Sequence, residues 1–300
     1  MTTPTLPAGL ASRPLTIADA SAATAVMAAE EVADVGEVVI EEADLLGHWQ
    51  RPSFDLNRST LGVLDGDRLV AWAEHSGAGR GEAAVDPAYH GRGIGTFLAG
   101  WVQDTARAAG DTIVGMAVPE GSPGDRLLAA LGFRVRWNSW VLQLPEGAAI
   151  PPRPLPEGYV VRTAEPTEHR AVWTVIEDAF LEWSVRERQS YDDFAAGVMQ
   201  RPGFAPWNLR VAVDPAGEVV GASFVVLASG CGFVDRLAVR RDQRNKGLAT
   251  ALLADSFAVS REHGATRSEI STDSRTGALG LYENVGMVVT STWVSRAMDL

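Results

Sequence analysis

The sequence predicts an α/β fold with a mixed sheet, built from one domain that occurs twice in tandem. The first observation is a repeat: segment 85–96 aligns with segment 239–250, an offset of 154 residues. Gly110 and Gly132 recur as glycines at the same offset. Glycines in unchanged register indicate the same order of elements in both copies. A period of this length is that of a duplicated domain, since solenoid repeats are far shorter.

The second observation is the order of predicted elements in each copy, which is strand, helices, strands, helix, strand, helix, strand. Strands at Leu61–Leu64 and Leu69–Trp72 flank one turn signal, and strands at Leu209–Val213 and Val219–Val226 flank another. Apolar residues recur at helical spacing after each glycine-rich segment. The other predicted helices are Ile17–Met27, Glu37–His48, Asp125–Leu131, Glu168–Glu182, Tyr191–Gln200 and Thr276–Val285.

Prolines are concentrated between the two copies, from Pro145 to Pro156. That density prevents regular structure and favours a stiff, extended connector. We therefore expect an N-terminal domain over residues 1–147, a proline-rich linker over residues 148–158 and a C-terminal domain over residues 159–300.

Composition narrows the classes of function. The formal net charge of −12 argues against a nucleic-acid partner, because phosphate binding needs a basic surface. Cys231 is the only cysteine, so an intrachain disulfide and a cysteine-rich metal site are excluded, and no metal is expected. The sequence has no signal-peptide pattern and no apolar stretch of membrane-spanning length. We expect a cytoplasmic protein with no membrane partner; its oligomeric state stays open.

In each copy, a predicted strand ends in a glycine-rich loop that opens a helix, which is an arrangement suited to a diphosphate. The helix start leaves backbone N–H groups unpaired, and glycine lets the chain approach phosphate oxygens closely. Arg244 and Lys246 add positive charge in the second copy. A Walker A loop is excluded because neither copy has Gly-Lys-Ser/Thr, and the preceding hairpins do not fit a dinucleotide-binding βαβ unit.

The segment Arg244–Ala249 resembles the Arg/Gln-x-x-Gly-x-Gly/Ala signature of the GNAT acyltransferase superfamily. The strand Leu237–Val239 and the segment Tyr282–Met287 resemble that family as well. The resemblance covers nearly the whole chain as two GNAT units, a tandem arrangement similar to that of two-domain members such as mycothiol synthase. It implies that acetyl-CoA places its pyrophosphate on the 244–250 loop and its pantetheine arm along the strand.

The resemblance also implies which residues contact the coenzyme. In the second copy they are Leu237, Ala238, Val239, Arg244, Asn245, Lys246, Gly247, Leu248, Ala249 and Thr250. The corresponding candidates in the first copy are Val85, His90, Gly91, Arg92, Gly93, Ile94, Gly95 and Thr96. Asp273 stands where relatives often carry an asparagine that contacts the coenzyme, so this contact departs from the family pattern.

Acetyl transfer to an amine needs one group that accepts the amine proton and another that protonates the departing thiolate. The resemblance implies that Tyr282 is the general acid, and a reference pKa of about 10 keeps tyrosine a donor at neutral pH. Leu128 stands at the equivalent position of the first copy, which we therefore expect to be non-catalytic. Asp235 is the leading candidate for the base, with a salt bridge to Arg236 as its alternative role, and Glu269 is the second candidate.

The acceptor pocket is expected in the least repeated part of the second copy. Acidic and aromatic residues between its first two helices suit an amine, although a solvated helix face explains the charged ones equally well. These candidates are Glu182, Trp183, Glu187 and Tyr191, next to Asp192 and Asp193. The sequence thus predicts an acetyl-CoA-dependent N-acetyltransferase acting by direct attack of a small-molecule primary amine on the thioester. A catalytically silent coenzyme-binding or scaffold protein is the alternative.

Overall fold

The computed structural model describes residues 5–151 and 154–300, and within them the chain forms two compact units. Unit 1 runs to Ser139 and includes Ser291–Leu300, and unit 2 is Trp140–Thr290. Pro152 and Arg153 of the predicted linker lie outside the described residues. The rest of the segment between Pro145 and Pro156 contains neither helix nor strand.

Unit 1 is a sheet with helices on both faces. Its elements are β1 (Ala11–Arg13), α1 (Ala20–Asp34), α2 (Glu42–Trp49), α3 (Leu56–Ser59), β2 (Thr60–Asp65), β3 (Arg68–Gly77), β4 (Arg80–Val85), α4 (Ile94–Ala108), β5 (Ile113–Pro119) and α5 (Pro123–Ala130). Neighbouring strands from β1 to β4 are antiparallel, whereas β4 and β5 are parallel.

Unit 2 repeats this arrangement. Strand β6 (Arg134–Gln143), which has residues in both units, comes first. The elements within unit 2 are β7 (Val160–Thr163), α6 (His169–Leu181), α7 (Tyr191–Gly197), β8 (Leu209–Val213), β9 (Val219–Ala228), β10 (Cys231–Val239), α8 (Leu248–Glu262), β11 (Arg267–Asp273) and α9 (Leu279–Glu283). The last strand, β12 (Val288–Asp299), again has residues in both units. Strands β7 to β10 pair antiparallel in chain order, and β10 pairs parallel to β11.

The two structural units do not begin and end at the same residues as the two copies of the sequence repeat. Most of β12 belongs to unit 1, where Trp293–Asp299 pairs antiparallel with β5. In unit 2, Leu144 from the end of the first copy donates its backbone N–H to the carbonyl of Ser268. The observed division at Ser139 and Thr290 therefore differs from the predicted boundaries of 1–147 and 159–300. Only strand pairing, which sequence periodicity does not report, places these terminal segments.

The predicted α/β class with a mixed sheet is confirmed. Element order also follows the prediction, while several boundaries differ. For example, α9 is shorter than the predicted 276–285 helix, because the chain turns through Thr276 and through Gly277 at φ 67 before it becomes helical. No helix in the described residues 5–151 and 154–300 is both long and apolar enough to cross a bilayer.

Helix α8 is held on the sheet by one apolar face. Its fully buried side chains include Leu252, Leu253 and Phe257. They pack against Val220 and Val225 of β9 and against Val234 and Val239 of β10. Each such side chain contributes about 1.5–3 kcal/mol of transfer free energy when buried. This packing fixes the N-terminus of α8, and therefore the glycine-rich loop, relative to the end of β10.

Candidate active site

The loop that leads into α8 has the backbone geometry that its glycines predict. Gly247 caps the helix in the left-handed conformation, at φ 80, and Asn245 also has a positive φ of 65. A Cβ built at Gly247 would meet no atom within 4 Å, so the requirement for glycine is conformational and the space beside it is open. The 15-residue helix presents unpaired first-turn N–H groups, which favour an anion.

Strand β10 exposes a backbone edge next to this loop. It pairs with β9 as far as Val239, but with β11 only from Cys231 to Val234. A β-bulge between Val234 and Arg236 bends the strand at the point where the pairing with β11 ends. The N–H of Arg240 bonds to β9, and antiparallel N–H groups alternate, so those of Leu237 and Val239 point away from β9. This edge can accept an extended amide-bearing chain as an additional strand.

Arg244 is fixed by contacts within unit 2. Its Nε donates to the carbonyl of Val239 at 3.1 Å, and its two terminal nitrogens donate to the Glu182 carboxylate at 2.9 and 2.7 Å. These hydrogen bonds lower the pKa of Glu182. Arg244 therefore joins the end of β10 to the segment that follows α6. Glu182, predicted to bind the acceptor, is paired with this predicted coenzyme residue.

Lys246 extends a polar network that the sequence does not reveal. Its Nζ lies 2.8 Å from the hydroxyl of Tyr159 and 2.7 Å from Oε1 of Gln243. The Tyr159 hydroxyl donates to the same Gln243 oxygen at 2.7 Å. The network keeps one positive charge at the open side of the loop. Sequence reasoning misses Tyr159 because it lies 87 positions before its partner, immediately before β7.

Tyr282 lies on α9 with 6% of its surface exposed, packed in the core beside α8. Its hydroxyl has no hydrogen-bond partner in residues 5–151 and 154–300, and it is not sealed from solvent. Burial raises its pKa to about 12, so the hydroxyl stays protonated throughout the range in which enzymes work. A buried, unpaired donor of this kind is available to a ligand atom.

Asp235 is the extra residue of the β10 bulge. Its side chain is 44% exposed, and Oδ2 accepts from Nε of Arg236 at 3.2 Å. The guanidinium of Arg236 lies in turn over the ring of Phe194, 5.1 Å from its centroid. Glu269, the second candidate base, is buried on β11 with Arg267 3.7 Å away. The bulge turns Asp235 out of the regular alternation of the strand, which sequence periodicity does not predict.

The predicted coenzyme residue Asp273 has a structural partner. Its carboxylate accepts from the backbone N–H of Arg275 at 2.9 Å and from the guanidinium of Arg275 at 2.6 and 3.1 Å. The same guanidinium lies over the ring of Trp183, 4.8 Å from its centroid. Glu182 and Trp183 therefore connect, through two arginines, the loops that follow β10 and β11.

The remaining acceptor candidates are Glu187, between α6 and α7, and Tyr191, the first residue of α7. Tyr191 packs edge-on against Trp173, and its ring lies 4.2 Å from the guanidinium carbon of Arg170. Glu187 is exposed. The structure brings Glu182 and Trp183 to the loops that follow β10 and β11, while Tyr191 packs against α6.

Sequence reasoning also misses Glu177 and Arg186, which organise this segment. Glu177 is fully buried on α6, and both carboxylate oxygens accept from Arg186, at 2.7 and 2.8 Å. One of them also accepts from the backbone N–H of Gln189 at 2.9 Å. A glutamate on the apolar face formed by Val172 and Ile176 is the only sequence signal for this role.

Unit 1 has the same loop geometry, but different side chains stand at two of the predicted site positions. Gly93 caps α4 at φ 88, as Gly247 caps α8. His90 replaces Arg244 and makes the equivalent contact, 2.9 Å from the carbonyl of Val85. Leu128, at the position of Tyr282, is a buried core residue with no hydroxyl.

Comparison with known proteins agrees with this geometry. The Acetyltransferase (GNAT) family model matches residues 170–287, and the FR47-like protein model matches residues 60–141. The mycothiol acetyltransferase of Salinispora arenicola is 32% identical over 245 residues, covering 75% of this chain and 77% of that protein. The mycothiol acetyltransferase of Thermobispora bispora is 30% identical over 240 residues, covering 75% and 78%.

Solved structures show the same fold over nearly the whole chain. A GCN5-related N-acetyltransferase from Sphaerobacter thermophilus superposes with a TM-score of 0.75 at 27% identity, covering 98% of this chain and 97% of that one. A tandem GNAT protein from the clavulanic acid biosynthesis pathway has a TM-score of 0.70 at 20% identity, covering 97% and 98%.

In each unit, two parallel strands separate next to a glycine-capped helix N-terminus, and this arrangement is that of a tandem acyltransferase. The chain belongs to the GNAT family of acetyltransferases, and it is an enzyme of that class. Its cosubstrate is acetyl-CoA or another acyl-CoA, as in the rest of the family.

Proposed function

We propose that this protein transfers an acetyl group from acetyl-CoA to the primary amine of a small molecule, and that the reaction takes place in unit 2. The observation that carries the proposal is the combination of an unpaired, protonated Tyr282 hydroxyl with the open β10 edge. Unit 1 has Leu128 in place of the tyrosine, which supports a non-catalytic role for it.

The coenzyme would be held by backbone more than by side chains. The first-turn N–H groups of Leu248 to Thr250 suit the pyrophosphate, and the outward N–H and C=O groups of Leu237 and Val239 suit the amides of the pantetheine arm. Arg244 positions the loop through the Val239 carbonyl, and Lys246 contributes positive charge. The bound thioester would supply the acetyl group.

The protein residues would move two protons. As the amine nitrogen attacks the thioester carbonyl directly, Asp235 accepts a proton from the nitrogen, and the new C–N bond replaces the C–S bond. Tyr282 donates its proton to the departing sulfur. A hydroxyl held protonated by burial is suited to this role, because with a pKa of about 12 it stays a donor across the neutral and moderately alkaline range in which amines lose their proton.

The acceptor is proposed to be a small molecule. The similarity to proteins named mycothiol acetyltransferase supports this class and makes a mycothiol-related amine the first acceptor to test. Trp183 and Glu187 are proposed to line its pocket, together with Tyr191. Glu182 is proposed to contribute to the pocket only through its pairing with Arg244, because both of its carboxylate oxygens already accept hydrogen bonds from that side chain.

A thiol-release assay with acetyl-CoA and a panel of amines tests the proposal. We expect CoA to be released only in the presence of an amine acceptor, with the acetylated amine as the other product. If the protein binds acetyl-CoA but no amine releases CoA, it is a silent coenzyme-binding protein and the proposal fails.

Asp235→Asn is expected to lower kcat/KM by ~10²–10³-fold at neutral pH, because general bases contribute rate factors of this order. The residual activity of this variant should rise with pH, because a larger fraction of the amine acceptor is then deprotonated. Glu269→Gln, a change of the same kind on the neighbouring strand β11, is the matched comparison and should cost much less. Full activity of Asp235→Asn, together with a small loss of stability, would mean that Asp235 only pairs with Arg236.

A further inference from the structure

The two units differ at one backbone N–H group on the open strand edge, which is the edge of β10 at Val239 in unit 2 and the edge of β4 at Val85 in unit 1. In unit 1, the backbone N–H of Asp86 donates to the carbonyl of Val70 on β3. Because N–H groups alternate along an antiparallel strand, the N–H of the neighbouring Val85 points away from β3. Val85 is the counterpart of Val239 at the repeat offset. The groove is also open here, because β4 and β5 share a single paired position, Arg80 with Gly115.

In unit 1 this N–H group is already bonded. The Glu30 carboxylate, from α1, accepts from the Val85 nitrogen at 3.3 Å, and His90 bonds to the Val85 carbonyl at 2.9 Å. Both outward groups of Val85 are therefore engaged by side chains of unit 1. In unit 2 only the Val239 carbonyl has such a partner, Arg244; no side chain within residues 154–290 accepts from the Val239 N–H.

In unit 1, carboxyl groups are also clustered near Val85, around Glu30. Burial, with the negative charges of Asp34 and Glu31, raises the pKa of Glu30 to about 7, so the carboxyl is ionised above that pH. The guanidinium of Arg92, the only arginine or lysine in the 85–96 segment, lies over the ring of Tyr89. A coenzyme with several phosphates is repelled by such a cluster of carboxylates, since like charges at short range cost free energy.

We infer that unit 1 is a closed coenzyme site, in which the Glu30 carboxylate occupies the place of the pantetheine arm at Val85, and that the chain binds one coenzyme molecule. The statement that the chain binds one coenzyme molecule rests on the function proposed for unit 2, whereas the closure of unit 1 does not. The first-copy residues Val85, His90, Gly91, Arg92, Gly93, Ile94, Gly95 and Thr96 then serve the fold of unit 1 rather than coenzyme binding.

Calorimetric titration of the full chain with CoA at pH 8 tests the inference. We expect one equivalent for the wild type, one for Gly93→Val and none for Gly247→Val, two substitutions at matched left-handed glycines. Two equivalents in the wild type would overturn the inference. So would an equivalent that persists in Gly247→Val and disappears in the double variant. A wild type that binds none would support the closure of unit 1 and refute the function proposed for unit 2.

A second measurement needs no glycine substitution, so it is independent of any folding defect. In the ¹⁵N-valine-labelled protein, CoA should shift the amide resonance of Val239 and leave that of Val85 in place. Glu30→Gln, which keeps the size of the side chain and removes its charge, should shift the Val85 resonance without coenzyme. A Val85 resonance that moves on addition of CoA to the wild type would overturn the inference.

Discussion

Replacing Tyr282 with phenylalanine is expected to lower kcat by ~10²–10⁴-fold, the usual contribution of a positioned general acid. The coenzyme Kd should not change, because the substitution keeps the ring and removes only a hydroxyl that has no partner in the described residues. For the same reason the free energy of unfolding should change little. Steady-state kinetics with a saturating amine, together with calorimetric titration of CoA, measure both quantities.

The pH profile sharpens this prediction. With a pKa of about 12, the Tyr282 hydroxyl stays protonated below pH 11, so its ionisation should produce no fall in kcat between pH 6 and 10. Tyr89→Phe is the matched control, since it removes a tyrosine hydroxyl in unit 1 that donates to Asp65. This control should retain full activity. Equal kcat values for the wild type and Tyr282→Phe would exclude Tyr282 as the acid.

Replacing Glu177 with alanine is expected to destabilise the protein by about 3 kcal/mol, because breaking a buried ion pair leaves an unpaired charge. The carboxylate is fully buried, and its removal deprives Arg186 of two hydrogen bonds and the Gln189 N–H of one. Arg186 is about a quarter exposed, so partial rehydration keeps the cost at the lower end of the usual range. Urea unfolding followed by circular dichroism measures the loss.

The neighbouring residue supplies the control. Asp178 also pairs with an arginine of the following segment, Arg188, but its side chain is 56% exposed. Asp178→Ala should therefore cost less than about 1 kcal/mol, as exposed ion pairs do. Glu177→Ala should also raise the acceptor KM, since the segment that it orders begins with Glu182 and Trp183. Equal stability of the two variants would show that the Glu177 pair is not a structural anchor.

Much of the fold was predictable because its signals are local. The two glycine-rich loops, the helices that follow them and the hairpins before them depend on residues a few positions apart, and the structure contains them. The repeat also predicted that Leu128 replaces the tyrosine of the second copy, because a constant offset needs no three-dimensional information. The class of enzyme followed from these motifs, and the comparisons confirm it.

The structure alone decided how distant residues meet. Glu182 bonds to Arg244 across 62 positions and Glu30 to Val85 across 55, and no periodicity reports such pairs. Strand pairing likewise decided where β10 leaves β11 and which unit holds each terminal strand. The sequence by itself determined two copies, two loops and one tyrosine. Only tertiary packing decided which backbone edge is open, because the residues that pack against a backbone N–H group determine whether it is hydrogen-bonded, and these residues are distant in sequence.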